Sequence, residues 1–295
     1  MRFSIRASAG AVLTVVVALA ASLPMLARSA SAAAPMRIVS LAPSVTETLF
    51  ALGAGPEVVG VSNYCDFPPA AMKLPKVGSF LTPNIEAIVA LRPTLVIGLS
   101  LSSDQREIHA LNSMGCPVLM VKDSSLEDIQ NSIATVGARI GRAGQARNLV
   151  AAIAADIARV RERLAGAPPL RVLMLVGHQP MVAVGPGTFL DDLLRIARGD
   201  NIADSFSETW PQLSVEYVIA MRPDVIIDGQ MGTDPSSPSH FWEKYSTIPA
   251  VRNHRVYGYA QNPILRAGPR VGKSLEILAA MIHPQAFRAA AEARP

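Results

Sequence analysis

Apolar positions along the chain fall into short β-branched runs separated by stretches with helical spacing. RIVSLAP from Arg37 predicts a buried strand, and SVTETLFALGAG predicts the helix after it, capped by Ser44 or Thr46 and ended by Gly53 or Gly55. VVGVSNY, TLVIGLS and CPVLMV continue the strands; NIEAIVALRP, SDQREIHALNSMG and SLEDIQNSIATVGARIG continue the helices. This alternation predicts βα units around a mostly parallel sheet. From Ala143 the rhythm changes, because AGQARNLVAAIAADIARVRERLAGA keeps helical spacing without Gly or Pro between Gly144 and Gly166. After Pro168-Pro169 the first pattern returns. RVLMLVG, DVIIDG and RVYGYA read as strands, and TFLDDLLRIARG, SVEYVIAMRP, FWEKYSTIPAV and RVGKSLEILAAMIHP as helices.

The expected architecture is α/β: two α/β lobes with mostly parallel sheets joined by one long helix. Expected boundaries are a signal peptide over 1–34, an N-terminal lobe over 35–142, the bridging helix over 143–166 and a C-terminal lobe over 167–295. One short element occurs twice, 130 residues apart: NIEAIVALRPTLVIG and SVEYVIAMRPDVIID. In each copy Asn84 or Ser214 is placed to cap a helix, and Glu86 or Glu216 sits in the first turn, where the helix dipole favours an acid. Ile85, Ile88, Val89 and Leu91 form the predicted buried stripe of the first copy, matched by Val215, Val218, Ile219 and Met221. Capping alone accounts for both Glu residues; a role for them as a pair needs a further reason.

The first 34 residues change the charge picture. Arg2 and Arg6 precede an apolar run, AVLTVVVALAASLPMLA, and small residues lead to an A-x-A type cleavage point after Ala34. Without Arg2, Arg6 and Arg28, the 27 basic residues become 24 against 23 acidic ones, which removes any charge-based case for nucleic acid. No Cys lies near the cleavage point, so the expected product is exported, soluble and without a lipid anchor. Cys65 and Cys116 either pair, which needs Cα atoms within about 7 Å, or remain ordinary thiols. The segment GPRVGKS lacks the leading Gly of a phosphate-binding loop, since Ala267 stands there. No nucleophile elbow, zinc-protease helix or Cys/His pair supports an enzyme.

RIVSLAPSVTETLFALG, VVGVSNYCDFPP, KVGSFLTPNIEAIVALRPTLVIG and TWPQLSVEYVIAMRPDVII, in that order, resemble the bacterial periplasmic binding proteins of the cobalamin, haem and ferric-siderophore type, and most of all the cobalamin-binding members. The resemblance spans Met36 to about Pro284. It implies a monomeric receptor, no cofactor of its own, and a metallo-macrocycle or metal chelate held between the lobes and passed to an ABC importer. It implies ligand contacts at Tyr64, Phe80, His178, Trp210, Asn262 and Arg266, and docking of Glu86 and Glu216 on the two permease subunits. Ser79 stands where haem binders place a ligating Tyr, which lowers haem; against cobalamin, the loop LSLSSDQ lacks an expected Trp, Asn262 stands where an Asp is expected and Val182 where a Phe is. Cobalamin still leads, with a ferric siderophore or haem as the alternative. A tetrapyrrole metal-transfer enzyme using His178 ranks below both. Trp242 reads as helix packing, and His109, His240, His254 and His283 as surface residues outside any metal constellation.

Overall fold

The computed structural model describes Met1 and residues 35–79, 81–100, 105–178, 180–229, 238–259 and 261–287, apart from the side chains of Gln105, His178, Pro238, Ser239 and Gln261. The first lobe holds β1 (Ile38–Ser40), α1 (Pro43–Ala51), β2 (Val58–Val61), α2 (Pro69–Met72), α3 (Ile85–Ala90), β3 (Leu95–Leu99), α4 (Gln105–Ser113), β4 (Val118–Val121) and α5 (Leu126–Arg139). Its four strands are all parallel, in the order β2-β1-β3-β4. The long helix is α6 (Ala143–Arg163), 21 residues, as the unbroken spacing predicts.

The second lobe holds β5 (Leu170–His178), β6 (Met181–Ala183), α7 (Phe189–Ile196), β7 (Gly199–Asn201), α8 (Val215–Met221), β8 (Val225–Asp228), α9 (Pro238–Trp242), α10 (Pro249–Arg252), β9 (Val256–Gly258), α11 (Gln261–Ile264) and α12 (Val271–Ile282). Strand β5 is nine residues long and divides one edge between two partners. Its start pairs in parallel with β7 and its end pairs antiparallel with β6, while β8 and then β9 follow in parallel on the other side.

Two expected elements differ. Helix α1 begins at Pro43 after Ala42, without a side-chain cap, and Ser44 and Thr46 lie buried inside it. Proline at the first position has no N–H to satisfy, so the cap is dispensable. The single helix expected over FWEKYSTIPAV is two short ones. Helix α9 ends at Trp242, a turn closes from the Tyr245 N–H to the Trp242 carbonyl (2.9 Å), and Pro249 starts α10.

The core explains why the lobes form one body. Ile38, Leu95 and Ile97 point from the first sheet into a cluster that runs through α1, α5 and α6 to Val172, Met174, Leu190 and Leu275 of the second lobe. Alternate residues point the opposite way, as strand periodicity requires. Val39 and Val96 meet Ile88 and Leu111 on one outer face, and Leu173, Leu175 and Ile226 meet Val218 and Trp242 on the other. Helix α6 approaches closely through two glycines. A Cβ at Gly137 of α5 would lie 2.4 Å from the Ala146 Cβ, and one at Gly272 of α12 would lie 2.3 Å from Asp156 Oδ2. Cys65 belongs to the shared cluster and Cys116 to the outer face of the first sheet; both are buried and free, so no disulfide forms.

Candidate functional site

The C-terminal ends of the parallel strands carry the loops where ligands of open α/β sheets bind. After β2 the chain runs outward on either side of one buried residue. Cys65 is buried, its Sγ 3.1 Å from Thr46 Oγ1 and 3.2 Å from Ser62 Oγ, and Lys76 Nζ donates to its carbonyl at 3.1 Å. Pinned at that residue, the loop turns Tyr64 and Asp66 outward, and Tyr64 is 57% exposed. On the second lobe Trp210 is 46% exposed. Its loop is tied down on both sides, by Gly185 N–H donating to the Thr209 carbonyl (3.0 Å) and Ala183 N–H donating to the Pro211 carbonyl (2.9 Å). Each lobe thus presents a large aromatic on a fixed backbone.

The lobes meet beneath these loops. Arg266 Nη2 donates to both carboxylate oxygens of Asp66 at 3.0 Å. Arg270 binds Glu47 in bidentate fashion, Nε to Oε2 at 2.7 Å and Nη2 to Oε1 at 2.6 Å, and its guanidinium lies 3.9 Å from the centroid of the Phe67 ring. Asn262 accepts from the same Arg270 through its side-chain oxygen. A third tie is the Asp192 carboxylate of α7, which accepts from the Leu126 N–H at 2.8 Å and caps the start of α5 from the opposite lobe. Asn262 and Arg266 are therefore seam residues. Four others that sequence reasoning passed over, Glu47, Arg270, Asp66 and Asp192, hold the seam with them. The available signal was Glu47, the only charged residue between Arg37 and Glu57, which the structure buries in α1 and which there needs a cation beside it.

Beside the seam lies a cavity of about 10 Å³ lined by Ser44, Lys122, Asp123, Ala267 and Gly268 among others. That is room for about one water. Burial pushes the Asp123 carboxyl up to about 6; the hydrogen bond from Ser44 Oγ (3.2 Å) opposes that rise and Asp128 adds to it.

Phe80 lies outside the described residues, and so does the side chain of His178, whose backbone ends β5. Ser79 spends its hydroxyl locally, accepting from the Thr82 N–H at 2.9 Å and lying 2.8 Å from Thr82 Oγ1. Among the described residues no group of three or more His, Cys, Asp or Glu is placed to hold a metal ion. Trp242 is fully buried, as expected of helix packing, and its indole N–H donates to Asp228 Oδ2 at 2.7 Å. His109, His240 and His254 are exposed, but His283 is not. It is 9% exposed after α12, and burial pulls its imidazole below the usual value.

The duplicated helices appear as the sequence predicts. Asn84 Oδ1 accepts from the Ala87 N–H (3.0 Å) and Ser214 Oγ from the Tyr217 N–H (3.2 Å), leaving Glu86 and Glu216 exposed in the first turns. Ile88 and Val218 anchor the buried sides, but Ile219, expected in the stripe, is 37% exposed, because a helix this short buries a narrow face.

A family model described as "Periplasmic binding protein" matches residues 38–263. The chain belongs to that family. It is 28% identical over 248 residues to the vitamin B12-binding protein of Pectobacterium atrosepticum, covering 82% of this chain and 87% of that one. The apo periplasmic heme-binding protein RhuT from Roseiflexus sp. RS-1 superposes with a TM-score of 0.76 at 31% identity, over 85% of this chain and 99% of that one. The periplasmic vitamin B12-binding protein BtuF of Vibrio cholerae gives 0.75 at 26%, over 85% and 98%. The molecule is thus a non-catalytic periplasmic receptor of the cobalamin-, haem- and siderophore-binding kind, built to hand its ligand to an ABC importer. Overall likeness leaves the choice of ligand open, since a haem binder and a cobalamin binder match equally well.

Proposed function

We propose that the cargo is cobalamin or a related corrinoid, clamped between Tyr64 of the first lobe and Trp210 of the second. The exposure of those two aromatics carries the reading, because a flat macrocycle gains affinity by burying its faces against rings. The local use of the Ser79 hydroxyl supports it further: no phenolate stands at that position to hold haem iron. A corrinoid brings its cobalt already coordinated and needs no such ligand. Phe80 by resemblance and His178 by its place at the end of β5 complete the expected contacts, and Asn262 and Arg266 border the cleft from the seam. The two lobes, 35–142 and 167–295, act as the jaws around the bridge 143–166, and the receptor works as a monomer. Glu86 and Glu216 then dock on basic pockets of the two permease subunits, a pair of carboxylates suiting a twofold partner.

Calorimetric titration of residues 35–295 with cyanocobalamin, haemin and ferrichrome tests the cargo. One-to-one, submicromolar binding of cyanocobalamin alone is the expected result. Heat with haemin or ferrichrome and none with cyanocobalamin moves the assignment to that chelate.

A further inference from the structure

The duplication extends beyond the helices that carry Glu86 and Glu216. At the opposite end of each helix, an arginine at the start of the lobe's opening strand, just before β1 in one lobe and second in β5 in the other, reaches over and grips it. Arg37 Nη2 and Nε donate to the Leu91 carbonyl at 2.8 and 3.1 Å, at the C-terminal end of α3. Arg171 Nη1 donates to the Met221 carbonyl at 3.2 Å, at the C-terminal end of α8. Leu91 and Met221 are the same position of the repeated motif.

The rest of the grip is also repeated. Arg92 and Arg222 follow with φ of +47° and +49°, each just before a proline. Left-handed backbone is costly for a side chain with a Cβ, so each turn must be held by its surroundings. The residue after the proline closes a two-way tie. Thr94 N–H donates to the Arg37 carbonyl at 2.8 Å and Thr94 Oγ1 accepts from the Arg37 N–H at 2.9 Å. In the second lobe, Asp224 N–H donates to the Arg171 carbonyl at 2.8 Å and Asp224 Oδ2 accepts from the Arg171 N–H at 3.0 Å.

We infer that Arg37 and Arg171 are positioning residues for the docking carboxylates. The inference rests on the docking reading given above. Helices α3 and α8 have only six and seven residues, too short to hold a direction unaided. Each has one fully buried side chain, Ile88 or Val218, acting as a pivot. A guanidinium on the last carbonyl supplies the second fixed point and complements the negative end of the helix. With both ends fixed, the acid in the first turn has a set place on each lobe. The two grips differ in strength. Thr94 is neutral, so Arg37 is free to serve α3 with two donors, whereas Asp224 shares Arg171 through contacts of 3.4 and 3.5 Å.

Nitroxide labels on Glu86→Cys and Glu216→Cys report the consequence directly, since native Cys65 and Cys116 are only 2% and 4% exposed. Pulsed dipolar spectroscopy should give a distance distribution about twofold broader after Arg37→Ala/Arg171→Ala, with Arg37→Ala the larger single contributor. Arg255→Ala is the control: it removes a bond of the same chemistry, Arg255 Nη2 to the Ile282 carbonyl at the end of α12 (2.6 Å), and should leave the width unchanged. If the Arg37→Ala protein does not fold, Arg37→Lys, with one donor in place of two, is read instead and should show a smaller broadening.

Uptake is measured in the native bacterium with unlabelled variants and radiolabelled cyanocobalamin, or haemin or ferrichrome if the titration selects one of them. The arginine pair should lower uptake about fivefold with ligand affinity unchanged. An unbroadened distribution overturns the positioning role whatever uptake does. Broadening accompanied by normal uptake of a Glu86→Ala/Glu216→Ala receptor overturns the docking reading beneath it.

Discussion

Arg270→Ala tests whether the lobes are joined by the seam as well as by the shared core. The side chain of Glu47 is 1% exposed, and Arg270 supplies both of its charge-assisted bonds at 2.7 and 2.6 Å. Removing the cation strands a carboxylate in the protein interior, which costs about 3–5 kcal/mol. The stacking of the guanidinium on Phe67 at 3.9 Å adds roughly 0.5–1 kcal/mol for a partly exposed pair. A loss near 4 kcal/mol in a chain of this size lowers Tm by roughly 8–16 °C. Thermal unfolding followed by far-UV circular dichroism reads that shift.

The design of the variants isolates the pair. Arg270→Lys keeps the charge but not the fork, so it should fall about midway. Glu47→Leu/Arg270→Met removes both charges and should recover most of the loss, giving a coupling of at least about 2 kcal/mol in the double-mutant cycle. Both tryptophans, Trp210 and Trp242, lie in the second lobe, so their fluorescence reports that lobe alone. In the parent protein fluorescence and dichroism should melt together; in Arg270→Ala they should separate. A Tm within about 2 °C of the parent, or single variants that add without coupling, would refute the reasoning.

Three further variants test the neighbourhood of the cleft. Asp123 holds its proton up to about pH 6 when folded and loses it at ordinary carboxylate pH when unfolded, so the native state binds the extra proton between about pH 4 and 6. Stability contributed by that site therefore falls as pH rises through this window. Asp123→Asn should stabilise the protein by about 1–2 kcal/mol at pH 7.5 and by almost nothing at pH 4, as read by urea denaturation; equal effects at both pH values would contradict the assignment. Tyr64→Ala and Trp210→Ala should each weaken cyanocobalamin binding about tenfold in titration calorimetry, with Tm nearly unchanged because both rings are already exposed. A large loss of Tm would mark either ring as packing.

The alternation of β-branched runs with helical spacing was enough to read the first sheet and three strands of the second, because a parallel strand buried on both faces leaves little else for a run such as LVIGL to do. The long bridge was equally plain, since Gly and Pro are absent from its interior. Strand β7 was not legible: GDN carries no apolar pattern and pairs only because β5 extends past its neighbours. Antiparallel β6 was hidden for a similar reason, being three residues set by the turn after β5. The seam lay furthest from view. Arg266 and Asp66 are 200 positions apart and Arg270 and Glu47 are 223 apart, so no local rule links them. What the sequence did offer was a lone acid, Glu47, in a segment with no other charge between Arg37 and Glu57. In the candidate site, the aromatics and the paired Glu residues were visible as types, but the ties that fix their loops run through backbone groups of distant segments.

Two separate fixings decide what the pair Glu86 and Glu216 can do in the docking reading. The arginine grips set each helix relative to its own lobe, and the seam sets one lobe relative to the other. The separation of the carboxylates depends on both, whereas the spacing of Tyr64 and Trp210 does not involve the grips. Loosening the seam should therefore disturb cargo and docking together, and loosening a grip should disturb docking only.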